Sequence, residues 1–237
     1  MLIFENVCFS YPGGSPVLEE VTFAVRDAEK VGLIGANGAG KSTLLKCVPG
    51  LLTASGKITV SGIEVCREKL ADVRRKVGYV LQDPDNQMFM PKVIDDMIFG
   101  PVNYGLSREE AEAQADKVLE DLGISRLRDR YNHRISGGEK RMAAIATVLA
   151  MEPDVMLMDE PSSSLDPKNR RALINMIKSL DKTMLIASHD LDMILDTCSR
   201  VVLLDGGRVI ADGECGKVLR NREMLEAHSL ELPLSLS

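Results

Sequence analysis

Short apolar runs, bounded by polar and turn-forming residues, recur toward both ends of the chain. Runs of about four to eight residues that are rich in β-branched side chains predict β-strands. Turn signals stand at 12–14 (Pro-Gly-Gly) and at 205–207 (Asp-Gly-Gly), and the second is typical of a hairpin. The predicted strands occupy residues 2–9, 21–25, 31–34, 56–61, 77–81, 155–158, 183–187, 201–204 and 208–211.

Apolar residues at helical spacing mark the middle of the chain and the intervals between the later strands. The clearest segment, 107–122, begins at Ser107 with Glu110 three residues later, and it stops before Gly123. These are typical start and stop signals of a helix. The other predicted helices occupy 42–48, 136–151 and about 168–180.

Strands that alternate with helices indicate an α/β fold with a mostly parallel sheet. The pattern of apolar positions changes after about residue 85, where helical spacing replaces the short apolar runs. We therefore expect three segments: an α/β part at 1–85, a helical insertion at 86–150 and a second α/β part at 151–237.

Residues 35–43 form a glycine-rich loop between a predicted strand and a predicted helix, and they fit the pattern G-x-x-x-x-G-K-[ST] through Gly35, Gly40, Lys41 and Ser42. A triphosphate needs backbone N–H donors close by, and a loop poor in side chains lets the backbone approach it. Lys41 would bind the β- and γ-phosphates, and the Ser42 hydroxyl would bind Mg²⁺. The alternative is a glycine-rich turn without a ligand. The strand–loop–helix context favours a nucleoside triphosphate site.

Two adjacent carboxylates, Asp159 and Glu160, follow the apolar run 155–158. Ligands of open parallel sheets bind at the carboxyl ends of the strands. Asp159 is therefore placed to hold Mg²⁺, and Glu160 to polarise an attacking water as general base. Two solvated acids are the default for such a pair, but the phosphate loop upstream favours the functional interpretation.

The sequence Ser136-Gly137-Gly138-Glu139 opens a predicted helix. Ser136 and Glu139 have the spacing of a capping box, which does not explain the two glycines between them. Paired glycines at a helix start expose backbone N–H groups, so a second phosphate contact is an alternative. His189 follows the predicted strand 183–187, again at a carboxyl end; a plain polar residue is an equal alternative there.

Composition and charge restrict the remaining classes. The chain of 237 residues carries a formal net charge of −6, which argues against binding nucleic acid through bulk charge. Five scattered cysteines show no metal-binding spacing and fit reduced thiols. No signal peptide is visible, and the longest apolar run, 142–151, is about half a membrane span. We expect a soluble chain whose membrane role, if any, comes through a partner.

The order of these motifs resembles that of the ATP-binding cassette (ABC) ATPases over nearly the whole chain. The resemblance implies a P-loop NTPase (RecA-like) fold that binds ATP and Mg²⁺, with an N-terminal antiparallel β subdomain and an inserted α-helical subdomain at 86–150. The family motifs fall on Tyr11 as adenine-stacking aromatic; Gly35, Asn37, Gly38, Ala39, Gly40, Lys41, Ser42 and Thr43 in Walker A; Gln82 in the Q-loop; Ser136, Gly137 and Gly138 in the signature; Asp159 and Glu160 in Walker B; Asp166 in the D-loop; and His189 as switch histidine.

The resemblance also implies roles. Two such domains would pair head to tail, so that residues 136–138 contact the γ-phosphate held by the partner's Walker A loop and Asp166 lies at the dimer interface. Gln82 would sense the γ-phosphate and Mg²⁺, and His189 would orient the γ-phosphate and water. The signature departs mildly from the family, with Ile135 and Glu139 where Leu and Gln are commonest.

A finer resemblance lies at 80–87 and 93–106, which are similar to the ATPases of energy-coupling-factor (ECF) importers and their cobalt or nickel relatives. In that group the region after the Q-loop receives helices of a membrane subunit. Residues 88–90 (Met-Phe-Met) suit such a contact, and a core role is an equal alternative. Packing of 230–236 on this chain or on a partner stays open.

The resemblance implies an ATPase subunit of an importer for cobalt, nickel or a vitamin, held peripherally at the cytoplasmic face of the membrane. Its partners would be integral-membrane subunits and a second ATPase subunit, identical or paralogous, with no nucleic acid. The alternatives are another ABC transporter class and a soluble ABC ATPase that acts on DNA or ribosomes.

Overall fold

The computed structural model describes residues 1–236, which form two packed β-sheets and a surrounding set of helices. Within that range the strands are β1 Leu2–Ser10, β2 Pro16–Val25, β3 Lys30–Ile34, β4 Ser55–Val60, β5 Ile63–Glu64, β6 Val77–Val80, β7 Val155–Asp159, β8 Thr183–Ala187, β9 Arg200–Asp205 and β10 Arg208–Glu214. The α-helices are α1 Lys41–Cys47, α2 Leu70–Lys76, α3 Val93–Asn103, α4 Arg108–Asp121, α5 Gly137–Leu149, α6 Pro167–Ser179, α7 Leu191–Thr197, α8 Cys215–Val218 and α9 Arg222–Ala227.

The larger sheet has the strand order β10-β9-β3-β8-β7-β6, and its five strands from β9 to β6 are parallel. Strand β10 joins its edge as the antiparallel arm of the predicted hairpin. The smaller sheet, β2-β1-β4-β5, is antiparallel throughout. The predicted α/β fold with a mostly parallel sheet and an N-terminal antiparallel unit is thereby confirmed.

Alternate residues of each parallel strand face two different cores. In β7, Val155 and Leu157 pack toward the antiparallel sheet, whereas Met156 and Met158 pack toward the helices on the other face. Because successive strand residues point to opposite faces and both faces are covered, the strand reads as a continuous apolar run. This burial fixes the carboxyl ends of β3, β7 and β8 along one edge of the sheet.

The helical insertion contains α3, α4 and α5, which pack on one another and share a core with the parallel sheet. Helices α4 and α5 both begin with a complete capping box, at Ser107 and Ser136. That shared core joins the helical segment to the sheet, so the division at 85/86 and 150/151 stays a prediction. Among the described residues, none of the helices combines the length and apolar character needed to cross a bilayer.

Several element boundaries differ from the predicted ones. Strand β2 begins at Pro16 rather than at residue 21, because it pairs with β1 through Ser10–Pro16 and Phe9–Leu18 and buries Leu18 completely. Isolated apolar residues among polar ones hid this part of the strand from the sequence pattern. The helices absent from the prediction are short or irregular: α2, α3, α7, α8 and α9.

Candidate nucleotide site

The glycine-rich loop connects β3 to α1 at the centre of the parallel sheet. Gly35 has a φ of 152°, and a Cβ at this position would overlap the carbonyl oxygen of Leu204 on the neighbouring strand β9. Gly40, just before α1, has a φ of 104°, in the region that side chains rarely adopt. Glycine at both positions therefore lets the loop pack closely against its neighbours, and the loop borders the space above the sheet.

That space is a cavity of about 710 Å³. It brings together the predicted adenine-stacking residue, the whole glycine-rich loop, the Q-loop glutamine, the candidate base and the switch histidine, with three residues that sequence reasoning did not place there. Its lining comprises Tyr11, Val17, Gly35, Ala36, Asn37, Gly38, Ala39, Gly40, Lys41, Ser42, Thr43, Gln82, Glu160, His189, Ser229 and Leu230.

Lys41 lies inside the loop and is almost fully buried. Its Nζ donates hydrogen bonds to the carbonyl oxygens of Gly35 (2.7 Å) and Ala36 (3.1 Å). Burial lowers the pKa of Lys41, while the charges of Glu160 and Asp159 act in the opposite direction. An ammonium group held by the loop's own carbonyls is positioned for a stronger, anionic acceptor such as a phosphate oxygen.

Asp159 closes β7 and accepts two hydroxyl hydrogen bonds, from Ser42 Oγ to Oδ1 (2.9 Å) and from Tyr79 to Oδ2 (3.1 Å). Sequence reasoning missed Tyr79, whose only signal is a polar-tipped residue inside the apolar run of β6. Burial and the neighbouring Asp159 carboxylate raise the pKa of Tyr79, so the phenol stays a donor. Tyr79 therefore fixes the orientation of the Asp159 carboxylate.

The side-chain oxygens of Ser42 and Asp159 are the type of ligand that Mg²⁺ prefers. Both groups offer hard oxygen donors, 2.9 Å apart, and Ser42 lines the cavity, whereas Asp159 is buried directly behind it. Mg²⁺ at phosphate sites takes one or two protein ligands and completes its shell with water and phosphate oxygens. The residues described here hold no cluster of three or more His, Cys, Asp and Glu side chains that could bind a metal ion. Gln82 lines the same cavity and remains a predicted third contact.

Glu160 follows directly and turns its nearly buried carboxylate toward the end of β8. Its Oε2 accepts hydrogen bonds from Ser188 Oγ (3.3 Å) and from the His189 backbone N–H (3.2 Å), and it lies 2.7 Å from His189 Nδ1. The Glu160 N–H donates to the carbonyl oxygen of Ala187 (2.8 Å). The two strand ends thus hold an acid and a histidine in contact at the cavity wall, which is the arrangement that a general base with an orienting partner requires.

The signature residues lie outside this cavity. Ser136 caps α5 and completes the capping box with Glu139. Gly137 has open space around its Cα and lines a second cavity of about 510 Å³, shared with Gln82 and residues 163–165. Within one chain Gly137 of the signature and the phosphate loop therefore line different cavities, which share Gln82.

The two signature glycines have different surroundings. A Cβ on Gly138 would overlap the side chain of Asn169, which Asp166 holds by hydrogen bonds from the Asn169 N–H (2.9 Å) and Nδ2 (2.6 Å). Packing against α6 thus accounts for Gly138. Within residues 1–236, apart from its own helix and its chain neighbours, nothing lies within 4 Å of a Cβ placed on Gly137, so the N-terminus of the helix is open there.

Arg141 is a further residue that the motif pattern did not single out. Its guanidinium is buried between α5 and the Q-loop, where Nη1 donates to the carbonyl oxygen of Leu81 (2.7 Å) and Nη2 to that of Gln82. It links the signature helix to the backbone of the Q-loop. The sequence gives no signal for it, because an arginine on a helix is usually exposed.

Comparison with known proteins places this geometry in a family. The ABC transporter family model matches residues 18–163. A relative from Streptomyces avermitilis, named as an ABC transporter ATP-binding protein, is 46% identical over 229 residues, which cover 96% of this chain and 87% of the relative. The Energy-coupling factor transporter ATP-binding protein EcfA of Carboxydothermus hydrogenoformans is 42% identical over 234 residues, which cover 97% and 86%.

Solved structures agree over nearly the full length. CbiO1 of Clostridium perfringens, described as part of the ABC transporter complex CbiONQ, has a TM-score of 0.84 and 36% identity, covering 98% of this chain and 95% of that one. The ATP-binding cassette MJ0796, a dimer in a post-hydrolysis state bound to ADP and Pi, has a TM-score of 0.81 and 25% identity, covering 91% and 99%. The chain therefore belongs to the ATP-binding proteins of ABC transporters, a family that hydrolyses ATP to power transport.

Proposed function

We propose that this chain is the ATPase subunit of an ECF-type importer, held peripherally at the cytoplasmic face of the membrane by integral-membrane subunits. The cargo is a micronutrient, either a transition-metal ion such as cobalt or nickel or a vitamin. The name of the relative from Carboxydothermus hydrogenoformans supports the ECF assignment. The observation that carries it is an exposed aromatic pair just after the Q-loop.

That pair consists of Phe89 and Phe99, whose rings meet edge to face with centroids 5.0 Å apart. Phe89 is 65% exposed and Phe99 45% exposed, and Val102 on the same helix α3 is also exposed. Apolar side chains that cluster at a surface mark protein interaction sites. Met88, in contrast, is buried in the core, so it does not belong to the predicted contact surface.

Hydrogen bonds with two buried side chains, Asp96 and Asn132, hold the loop that carries Phe89. The Asp96 carboxylate accepts hydrogen bonds from the backbone N–H groups of Phe89 (3.1 Å) and Met90 (3.0 Å). Asn132 Nδ2 donates both to this carboxylate and to the Met90 carbonyl oxygen, at 2.6 Å for the latter. A buried polar network thus holds an exposed apolar side chain in place, which lowers the entropy lost when a partner helix binds.

In the proposed cycle, ATP occupies the 710 Å³ cavity, with its phosphates at the loop N–H groups and Lys41. Mg²⁺ bound by Ser42 and Asp159 would neutralise phosphate charge. Glu160 accepts a proton from the attacking water, and His189 orients the water and the γ-phosphate. Catalysis here consists mainly of positioning and charge stabilisation.

A second ATPase subunit would complete the site. In the proposed dimer, residues 136–138 of each subunit contact the γ-phosphate held by the other, and Asp166 lies at their interface. Two observations support this arrangement: Gly137 and the phosphate loop of one chain line different cavities, and the N-terminus of α5 is open at Gly137. One chain carries both halves, so identical subunits are able to form two sites.

The catalytic part is tested by Glu160→Gln, with Glu120→Gln on the exposed face of α4 as matched control. The amide keeps the size of the side chain and removes its basicity, so we expect ATP binding to persist while turnover falls at least about a hundredfold. Glu120→Gln should leave both unchanged. Undiminished turnover in Glu160→Gln would contradict the assigned role.

The transport part is tested by affinity capture of the tagged chain from gently solubilised native membranes, with mass spectrometry of the recovered proteins. A small integral-membrane subunit together with a substrate-binding membrane protein is expected. Phe89→Ala should lose them, whereas Ile210→Ala, which removes an exposed apolar side chain from β10, should retain them. Recovery of ribosomal or DNA-bound proteins instead would favour a soluble ABC ATPase.

A further inference from the structure

The C-terminal segment, residues 222–236, reaches the carboxyl ends of the parallel strands, where the phosphate loop lies. Helix α9 ends at Ala227, and Ser229 then adopts a left-handed φ of 59°, which turns the chain. Ser229 and Leu230 line the same cavity as the phosphate loop and Tyr11. The segment is therefore part of the wall of the nucleotide cavity, although no motif marks it.

The segment is fastened on both sides of this point. On one side Leu225 is fully buried, and His228 Nδ1 lies 2.8 Å from Asp205 Oδ2. On the other side the Asp192 carboxylate accepts hydrogen bonds from the backbone N–H groups of Leu234 and Ser235, both at 3.0 Å. With two attachments, the residues between them have a defined position at the cavity.

Both attachments belong to elements that also hold the nucleotide site. Asp205 follows Leu204, whose carbonyl oxygen lies against Gly35 at the start of the phosphate loop. Asp192 lies in the first turn of α7, three residues after His189. The segment thus bridges the loop side and the histidine side of the cavity.

We propose that residues 229 and 230 form part of the nucleotide-binding surface, with Leu230 packing on the nucleoside of bound ATP; this inference rests on the proposed function. The N–H groups of the loop, Lys41 and the Ser42–Asp159 pair account for the phosphates, and an apolar leucine gains nothing from a charged phosphate. Base and ribose offer the apolar surface that it can cover. Leu230 is half-buried and packs against the core, so its position is set before nucleotide binds.

Because the segment already holds Leu230 at the cavity, a bound nucleoside meets an apolar contact that exists before binding. Removing the side chain of Leu230 weakens ADP binding without altering the groups that hold phosphate.

The test compares Leu230→Ala with Leu234→Ala, a matched leucine of the same segment that is 82% exposed and does not line the cavity. ADP binding is measured by calorimetry, and inorganic tripolyphosphate is titrated as a ligand without a nucleoside. We expect the dissociation constant for ADP to rise about three- to tenfold in Leu230→Ala, as for the loss of a partly buried aliphatic contact. Tripolyphosphate binding should stay the same, and Leu234→Ala should match the unmodified chain for both ligands.

Hydrogen exchange of the unmodified chain gives a second readout that needs no variant. ADP should slow exchange of amides at 228–232, whereas tripolyphosphate should not. An unchanged ADP constant in Leu230→Ala, or equal weakening for ADP and tripolyphosphate, overturns the inference and leaves the ATPase assignment intact. If the unmodified chain binds neither ADP nor tripolyphosphate, both the ATPase assignment and the inference are overturned.

Discussion

Replacement of Arg141 by methionine tests how the signature helix is joined to the Q-loop. Arg141 is only 3% exposed, and its two terminal nitrogens donate to the carbonyl oxygens of Leu81 and Gln82. Burial lowers the pKa of Arg141, and the negative charges of Asp83 and Asp159 act against this shift. Methionine fills most of the space of the arginine stem but offers no donor.

The expected loss of stability follows from the two carbonyl groups. Each buried acceptor left without a donor costs about 1–3 kcal/mol. The variant also avoids the cost of burying a guanidinium that, among the described residues, has no carboxylate in hydrogen-bond contact, and this offsets part of the loss. We expect the free energy of unfolding to fall by about 2–4 kcal/mol, which is a shift of about 1 M in the urea midpoint for an m-value of about 2–3 kcal/mol/M.

The matched control is Lys140→Met on the preceding residue. The Lys140 side chain is 17% exposed and pairs with Asp85, whose side chain is 70% exposed; a pair that is open to solvent on one side contributes about 0–1 kcal/mol. Its replacement should therefore leave the urea midpoint almost unchanged. The two variants make the same change in residue type at neighbouring positions and differ in burial.

The same substitution should affect turnover. Because Arg141 holds the carbonyl oxygen of Gln82, the Q-loop loses a fixed position at the cavity when the guanidinium is removed. We expect kcat to fall by at least tenfold while the ADP dissociation constant changes little, an effect of misplacement on an otherwise intact site. The reasoning is refuted if the free energy of unfolding of Arg141→Met lies within about 0.5 kcal/mol of that of the unmodified chain and kcat is unchanged. Water would then donate the hydrogen bonds to the two carbonyl oxygens.

Two further predictions concern groups whose pKa is raised by burial. Burial raises the pKa of Cys47 and Cys198 to about 12 and that of Cys215 to about 11. Above a pH of about 9 these thiols ionise in the unfolded chain but stay protonated in the folded chain, so the free energy of unfolding should fall. At pH 8 iodoacetamide should label the three thiols only in urea. Labelling of all three in the folded chain would contradict their burial. Tyr79→Phe removes the 3.1 Å hydrogen bond to Asp159. We expect the free energy of unfolding, measured in urea, to fall by about 1–2 kcal/mol and turnover to require a higher Mg²⁺ concentration. Unchanged values for both would show that Asp159 is held without Tyr79.

Much of the fold and the site follows from local sequence. The strand 183–187 and the capped helices beginning at Ser107 and Ser136 are specified by periodicity and by backbone hydrogen-bonding needs, which act over a few residues. The phosphate loop is recognisable from local sequence through its glycine and lysine spacing, although Gly35 also meets a long-range demand, the close approach of the Leu204 carbonyl oxygen. The sequence also predicts that Asp159, Glu160 and His189 follow strands of a parallel sheet, whose carboxyl ends meet at one edge.

Tertiary structure decided the rest. The sequence marks Met88 and Phe89 as equally apolar, but packing buries the first and exposes the second. Tyr79 and Leu230 reach the site from distant parts of the chain, so no spacing rule connects them to the phosphate loop. Burial and long-range contact depend on which surfaces the folded chain brings together, whereas loops, caps and strand ends depend on neighbouring residues. Local sequence therefore predicts the phosphate loop, whereas long-range packing sets which other side chains surround the cavity.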